Sequence, residues 1–377
     1  MRVLIQFEKK PLLFQEPQAI ISCFDPAEFS ACFQEIESAL AAGYYVAGFL
    51  SYEAGYCFEE NLRENKTYAF PLIYMGVYAA PLSQEINRKK ESSQGIITDL
   101  HLNITQPEYF SKIRAIRDYI AKGDVYQITY CIKLLFQFRG EPFSLYNTLL
   151  NEQPVPYPAY IDTGSFQILS LSPEMFIKKI GESVVTKPMK GTWPRGPEPL
   201  LDFVNRLVFQ YDRKNRAENV MIADLLRNDL GRVGADIQAP KLFEVARYRK
   251  LYQMTSTVTG RLAKNIALDK LFASLFPSGS VTGAPKIRAM GIIRELENEE
   301  RKIYTGAIGY ISPRKDLFFN IPIRTLLLNQ GTAEMGIGGG IVWDSTPQGE
   351  WEEGLLKAKF LTDSKVNLRV PYAPLHR

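Results

Sequence analysis

Residues 124–138 read DVYQITYCIKLLFQF. Side chains on a strand alternate between its two faces. Tyr126, Ile128, Tyr130, Ile132, Leu134, Phe136 and Phe138 therefore share one face, and Val125, Gln127, Thr129, Cys131, Lys133, Leu135 and Gln137 the other. The alternation predicts a long strand with one apolar and one partly polar face. A helix is predicted just before it. Thr105-Gln-Pro-Glu108 is a capping box with proline in the first turn. Tyr109, Ile113, Ile116 and Ile120 form one apolar stripe, and Gly123 supplies the stop.

Working outward, a buried strand is expected within 41–55, and further strands at 166–171, 183–190, 303–311, 317–328 and 333–343. Helices are expected near 212–228, 264–275, 283–297 and 348–363. Long strands interrupted by helices, without regular β–α alternation, favour an α+β fold over a doubly wound one. The polar stretch SQEINRKKESSQG (83–95) is the expected boundary between an N-terminal subdomain, 1–95, and a larger unit, 96–377.

Composition removes several chemistries. With 377 residues, 46% hydrophobic and 12% aromatic, the chain has ample core material and is not disordered. A formal charge of +4 gives no warrant for a nucleic-acid surface. Two histidines, His101 and His376, leave no room for a histidine-rich metal site, a Ser-His-Asp triad or a Cys-His dyad. Four cysteines, none in CxxC spacing, read as buried thiols in a reducing compartment. The first residues lack an apolar signal core, and no apolar run approaches membrane-spanning length. The expectation is a soluble cytoplasmic protein that engages neither membrane nor nucleic acid.

Four stretches could carry chemistry. GSVTGAPK (279–286) and GIGGGIV (336–342) resemble nucleotide loops but fail both motifs: Ile287 stands where a P-loop needs Ser or Thr, and Ile341 replaces the third glycine of GxGxxG. Each is a tight turn or a backbone N–H nest for an anion. In the 348–363 helix, Glu350 and Glu353 share a face and Lys357 follows Glu353 by one turn. Alone that is a solvated face; if the helix bearing Glu218 converged on it, Glu218 and Glu353 could hold Mg²⁺ through oxygen and water. In KPMKGTWPRG (187–196), Lys190 is either an ordinary exposed lysine or a nucleophile whose pKa burial or nearby cations lower. Glu174, in LSPEMF, is either a turn residue or an acid of raised pKa.

From about 105 to 365 the chain resembles the chorismate-utilising enzymes. Nine markers recur in order: GDVYQITY, SLSPEMF, KPMKGT, RAENVMIADLLRNDLGRV, FPSGSVTGAPKIRAM, YTGAIGY, NIPIRTL, GIGGGIVWDS and EWEEGLLKA. The resemblance implies one large α+β domain of two packed antiparallel sheets with helices outside, and Mg²⁺ beside the ring carboxylate of chorismate. Within the family, members that add at C2 carry alanine at the position of Lys190, and water-using members carry lysine at the position of Gln127. Lys190 in PMKGT, Gln127 and the RAEN run resemble instead the subgroup that makes 4-amino-4-deoxychorismate.

That resemblance implies roles. Glu174 protonates the departing C4 hydroxyl, Lys190 adds covalently at C2, and ammonia attacks C4 and expels Lys190. Arg324 clamps the enolpyruvyl carboxylate. Gly338, Gly339 and Gly340 offer backbone donors, while Tyr304, Thr282, Gly283, Thr192, Gln253 and Lys357 line the substrate. Glu218 and Glu353 match Mg²⁺ ligands, with Glu350 in or near the shell. Two positions depart from the pattern: Asn215 replaces an acid, and Gln253 replaces a histidine and cannot deliver a proton near pH 7. The first 95 residues match loosely and show no tryptophan-binding segment. No glutaminase nucleophile motif is present, so the family implies a separate glutamine amidotransferase subunit that supplies ammonia. The alternatives are the anthranilate-forming sister activity and a non-catalytic chorismate-binding regulatory subunit.

Overall fold

The strand Gln127–Arg139 runs through the first of two large sheets in the computed structural model, which describes residues 1–82, 95–248, 251–364 and 366–369. All but Gly95 of the expected 83–95 boundary lies outside the described residues. Tyr126, expected on the strand's apolar face, stands just outside it and is 66% exposed, because its N–H is drawn to the carbonyl of Ala284. From Gln127 to Leu134 both faces are covered. Ile128, Tyr130, Ile132, Leu134 and Phe136 pack in one core cluster with Tyr109, Ile113 and Ile116 of helix Gln106–Ala121 and with Trp351 and Leu355 of helix Pro347–Thr362. The first half of the polar face is buried as well: Gln127, Thr129, Cys131 and Lys133 are all under 9% exposed, and the Lys133 ammonium pairs with Glu334 at 3.0 Å.

The first sheet runs Leu12–Phe14, Arg2–Ile5, Tyr157–Asp162, Phe166–Ser172, Thr325–Asn329, Thr332–Ile341, Gln127–Arg139, Ile96–Leu102, Asn367–Arg369, and Gly283–Ala284 adds to the start of Gln127–Arg139. The second runs Met189–Pro194, Leu251–Leu262, Ser183–Lys187, Met175–Ile180, Leu317–Asn320, Ala307–Ile311, Tyr45–Leu50, Ile73–Tyr78, Ala19–Cys23, with Gly234–Arg247 also on Leu251–Leu262. Among the described residues every strand pair is antiparallel except the one between Asn367–Arg369 and Ile96–Leu102. Val3, Ile161, Ile168 and Leu327 of the first sheet meet Ala47, Phe49, Ile308 and Phe318 of the second, so the sheets pack face to face. Helices Phe29–Ala41, Arg213–Gly231 and Leu268–Leu275 cover the outside of the second sheet. This is the expected α+β architecture.

The differences from the sequence expectation have local causes. The expected strand 317–328 is two strands in different sheets, Leu317–Asn320 and Thr325–Asn329. Between them the chain passes Pro322 and turns at Arg324, whose φ is 50°. Pro188 divides 183–190 into Ser183–Lys187 and Met189–Pro194. The strand expected from 303 starts at Ala307, after the turn that carries Tyr304. Strands Leu251–Leu262 and Gly234–Arg247 were not expected: the first is rich in Thr and Ser, and the second is solvent-facing with three register shifts. The four expected helices form as Arg213–Gly231, Leu268–Leu275, Lys286–Leu296 and Pro347–Thr362. Thr105 caps Gln106–Ala121 by accepting from the N–H of Glu108 at 3.4 Å.

Candidate functional site

Strand Thr332–Ile341 organises the site. It pairs with Gln127–Arg139 along its whole length but with Thr325–Asn329 only over Thr332–Met335. From Gly336 onward one edge therefore has no strand neighbour among the described residues, which leaves backbone groups outside the ladder, the Gly338 carbonyl among them accepting from Lys357. Glycines let side chains press against this segment. A Cβ at Gly340 would collide with Nε2 of Gln127 and stand 3.4 Å from Nζ of Lys190. A Cβ at Gly339 would lie 3.0 Å from Oε2 of Glu350, 3.6 Å from Nζ of Lys357 and 3.7 Å from Oε1 of Glu353. At Gly336 it would enter the ring of Tyr304. The three-glycine run thus brings together Gln127, Lys190, Glu350, Glu353 and Lys357, five residues from three separate elements.

Lys190 lies on strand Met189–Pro194 at a bulge, where its register with Leu251–Leu262 shifts before Thr192. Gly191, at φ 85°, abuts Oδ1 of Asn215, so no larger residue fits there. Burial pushes the Lys190 pKa down, the carboxylates of Glu218 and Glu174 oppose this, and the charge of Lys357 adds to it. Glu174 is 3% exposed, and burial raises its carboxyl to about 7. The Ser280 hydroxyl, donating to Oε1 at 2.6 Å, the charge of Lys190 and the Met189 N–H at 3.4 Å all work against that rise.

Around them lie polar atoms with nothing to bond. Both amide atoms of Gln127, the hydroxyl of Thr129, Oε1 of Gln253 and Oε2 of Glu350 are buried without a hydrogen-bond partner among the described residues. Folded proteins leave such groups unpaired only rarely. Gln253 faces Thr192 across the ladder, and Thr192 itself is exposed. Arg324 sits where the open edge begins, two residues before the last Leu326–Met335 pair. Its guanidinium has no anionic partner among the described residues. Burial pulls its pKa down, and Tyr248 opposes the shift.

Thr282 is fully buried; its hydroxyl donates to Ser278 at 2.9 Å and its carbonyl accepts from Thr129 at 2.7 Å. Gly283 starts the short strand opposite Ile128. The P-loop-like stretch is therefore a turn, and Lys286 is spent on Asp229 at 2.7 Å. Arg301 ties these pieces together. It donates to the carbonyls of Val281 (2.9 Å) and Thr129 (2.6 Å) and to the Thr305 hydroxyl (3.1 Å), and pairs with Glu297 at 2.7 Å. Arg301, Thr129, Ser280 and Tyr248 were not found by sequence reasoning. Ser280 lay inside a quoted motif, but its contact with Glu174 spans 106 residues and leaves no spacing signal.

The acidic groups meet a cation's requirements in part. Glu353 is paired with Lys357 at 2.7 Å, which holds its carboxyl below the ordinary value, and the Lys357 ammonium also donates to Gly338 at 2.6 Å. Burial raises Glu350 against the Ser345 hydroxyl, which donates at 2.6 Å. Burial also raises Glu218, and the charges of Lys190 and Lys214 oppose it. No group of three such side chains converges into a ready metal cage among the described residues. A Mg²⁺ ion does not need one, since it typically takes one or two protein carboxylates and fills its shell with water and substrate oxygens. The unpaired Oε2 of Glu350 is the observation that fits such an ion.

Comparison with known proteins adds identity to geometry. A family model described as chorismate binding enzyme matches residues 4–363. Aminodeoxychorismate synthase component 1 of Klebsiella aerogenes is 39% identical over 253 residues, 67% of this chain and 56% of that one. Anthranilate synthase component 1 of Streptomyces coelicolor is 40% identical over 261 residues, 68% of this chain and 51% of that one. The chain thus spans about half the length of the curated relatives it matches. Among solved structures, anthranilate synthase component I from Streptococcus pneumoniae superposes with a TM-score of 0.79 at 26% identity, covering 95% of this chain and 92% of that one.

Proposed function

The chain belongs to the chorismate-binding enzyme family, and from that membership we propose that it converts chorismate and ammonia to 4-amino-4-deoxychorismate. The observation that carries this reading is Lys190, its pKa lowered by burial, beside the unpaired amide of Gln127 and near the raised carboxyl of Glu174. Glu174, protonated, gives its proton to the C4 hydroxyl, which leaves as water. The neutral Lys190 amine adds at C2 as both ring double bonds shift and the C4–O bond breaks. Ammonia then bonds to C4, both double bonds return, the C2–N bond breaks, Lys190 leaves as the free amine, and the proton shed by the new ammonium group returns to Glu174. The net change is hydroxyl for amine at one carbon, and Lys190 is regenerated.

The remaining residues position the substrate. Arg324 supplies an unpaired guanidinium for a carboxylate, and Gly338, Gly339 and Gly340 line the open edge. Gln127 and Gln253 hold buried polar groups with no partner among the described residues, free to bond a substrate. Gln127 is neutral, so it can orient ammonia but cannot deprotonate water. Glu218, Glu353 and Glu350 would hold Mg²⁺, which when bound would neutralise a substrate carboxylate. Relatives named component 1 support a separate glutaminase subunit as the source of ammonia.

The second reading is the anthranilate-forming activity, favoured by the 40% identity to a synthase of that name. Lys190 decides between them, because an amine at C2 blocks addition of ammonia there. Intact-protein mass spectrometry with chorismate and Mg²⁺ but no ammonia should show an adduct of chorismate less one water on wild type and none on Lys190→Ala. If Lys190→Ala makes 4-amino-4-deoxychorismate at the wild-type rate, Lys190 only binds and the covalent reading fails.

A further inference from the structure

Helix Pro199–Tyr211 carries its polarity inside out. The side turned to the protein holds Asp202 and Phe209, 7% and 0% exposed, and Asp202 is pinned by Arg195 at 2.7 Å. The solvent side holds Leu200, Phe203, Val204, Leu207, Val208 and Tyr211, between 38% and 72% exposed. Leu200, Val204, Leu207 and Tyr211 follow at steps of four, three and four, so they form a single stripe along the helix. A surface helix normally turns such a stripe to the core.

The size of the stripe says that something covers it. At about 150–200 Å² for each fully exposed large apolar residue, these six side chains offer on the order of 500 Å². That is at the upper end of the patches monomers keep, and such patches are often interaction sites. It is also the greater part of the roughly 800 Å² that each partner contributes to a stable association.

We infer that the stripe is the two-fold contact between two copies of this chain, their Pro199–Tyr211 helices packed antiparallel with Val204 and Leu207 at the axis. The stripe is a ridge on one convex helix, and two ridges of the same spacing interlock. A two-fold contact needs one patch complementary to itself. Leu200 and Tyr211 end the stripe, so antiparallel copies set Leu200 of each against Tyr211 of the other. The ends match in charge too. Exposed Glu198 precedes the first turn and exposed Arg213 follows the last, so each Glu198 meets the other copy's Arg213. The helix dipoles also run in opposite directions.

Sedimentation velocity of the full chain, without substrate, over a concentration series into the tens of micromolar tests this. Wild type should be a reversible dimer. Leu207→Glu, with an unchanged far-UV circular dichroism spectrum, should weaken it at least ~100-fold, because a charge would be buried at the axis. Val204→Cys should cross-link to its own counterpart under mild oxidation, whereas Arg206→Cys, on the flank of the same helix, should not. A wild type that stays monomeric, or a dimer unaffected by Leu207→Glu, overturns the inference. So does a monomer that instead binds a glutaminase subunit through this face, since the occupant would then be another protein.

Discussion

A carboxylic acid that must release a proton near neutrality cannot keep an ordinary carboxylate pKa, and burial raises that of Glu174 to about 7. The sign of the pH dependence follows. The group is protonated and competent below about pH 7 and loses its proton above it. Rates expressed per concentration of free NH₃ should therefore fall above about pH 7, approaching tenfold per unit, whereas protonation of the Lys190 amine lowers them on the acid side. Glu174→Gln should lower turnover by about 10²–10⁴ and erase that limb; a limb that persists in this variant would assign it to another group. Glu174, Lys190 and Gln127 were candidates from the sequence because each sits inside a motif of the family resemblance, and the structure buries Glu174 and Gln127 and sets Gln127 and Lys190 against Gly340. Ser280 and Thr129 were not candidates, since a serine and a threonine on apolar segments carry no chemical signal of their own. Their importance comes from contacts with residues far away in the chain, as between Ser280 and Glu174.

At the scale of elements, the candidate site is framed by the strand with the three-glycine run and the helices that carry Glu218 and Glu353. Gly340→Ala would drive a methyl group into the Gln127 amide and crowd the Lys190 amine at 3.4 Å. The far end of Gln127 can shift, so the variant should fold with a melting temperature near wild type while kcat falls at least tenfold. An unchanged kcat would mean that Gln127 and Lys190 do not work against this strand. Glu218→Gln and Glu353→Gln remove a charge at nearly constant volume. Each should raise the Mg²⁺ concentration needed for half-maximal activity by at least tenfold and leave the fold intact; a variant with wild-type Mg²⁺ dependence is not a ligand. Five helices were legible in the sequence, and three of them start at a side-chain cap, Thr105, Asp212 or Thr346; Phe29–Ala41, Pro142–Glu152 and Pro199–Tyr211 were not expected. The strand breaks were less legible. Residues 317–328 are apolar almost throughout, and only Pro322 and the left-handed backbone at Arg324 show that one run serves two sheets.

For the whole molecule, two face-to-face sheets bring positions from Gln127 to Lys357 around one strand edge. The α+β class was legible from long alternating strands without β–α regularity. The interleaving of strands was not, since strands from the first 82 residues join both sheets and no periodicity encodes which. In the proposed reaction the chain takes free ammonia and directs it to C4 of chorismate. The direct measurement is the product of the purified chain supplied with chorismate, Mg²⁺ and ammonium, alongside a parallel reaction with glutamine. The account predicts 4-amino-4-deoxychorismate from ammonium and no amination from glutamine; anthranilate as the product, or no turnover of chorismate with ammonium, would contradict it.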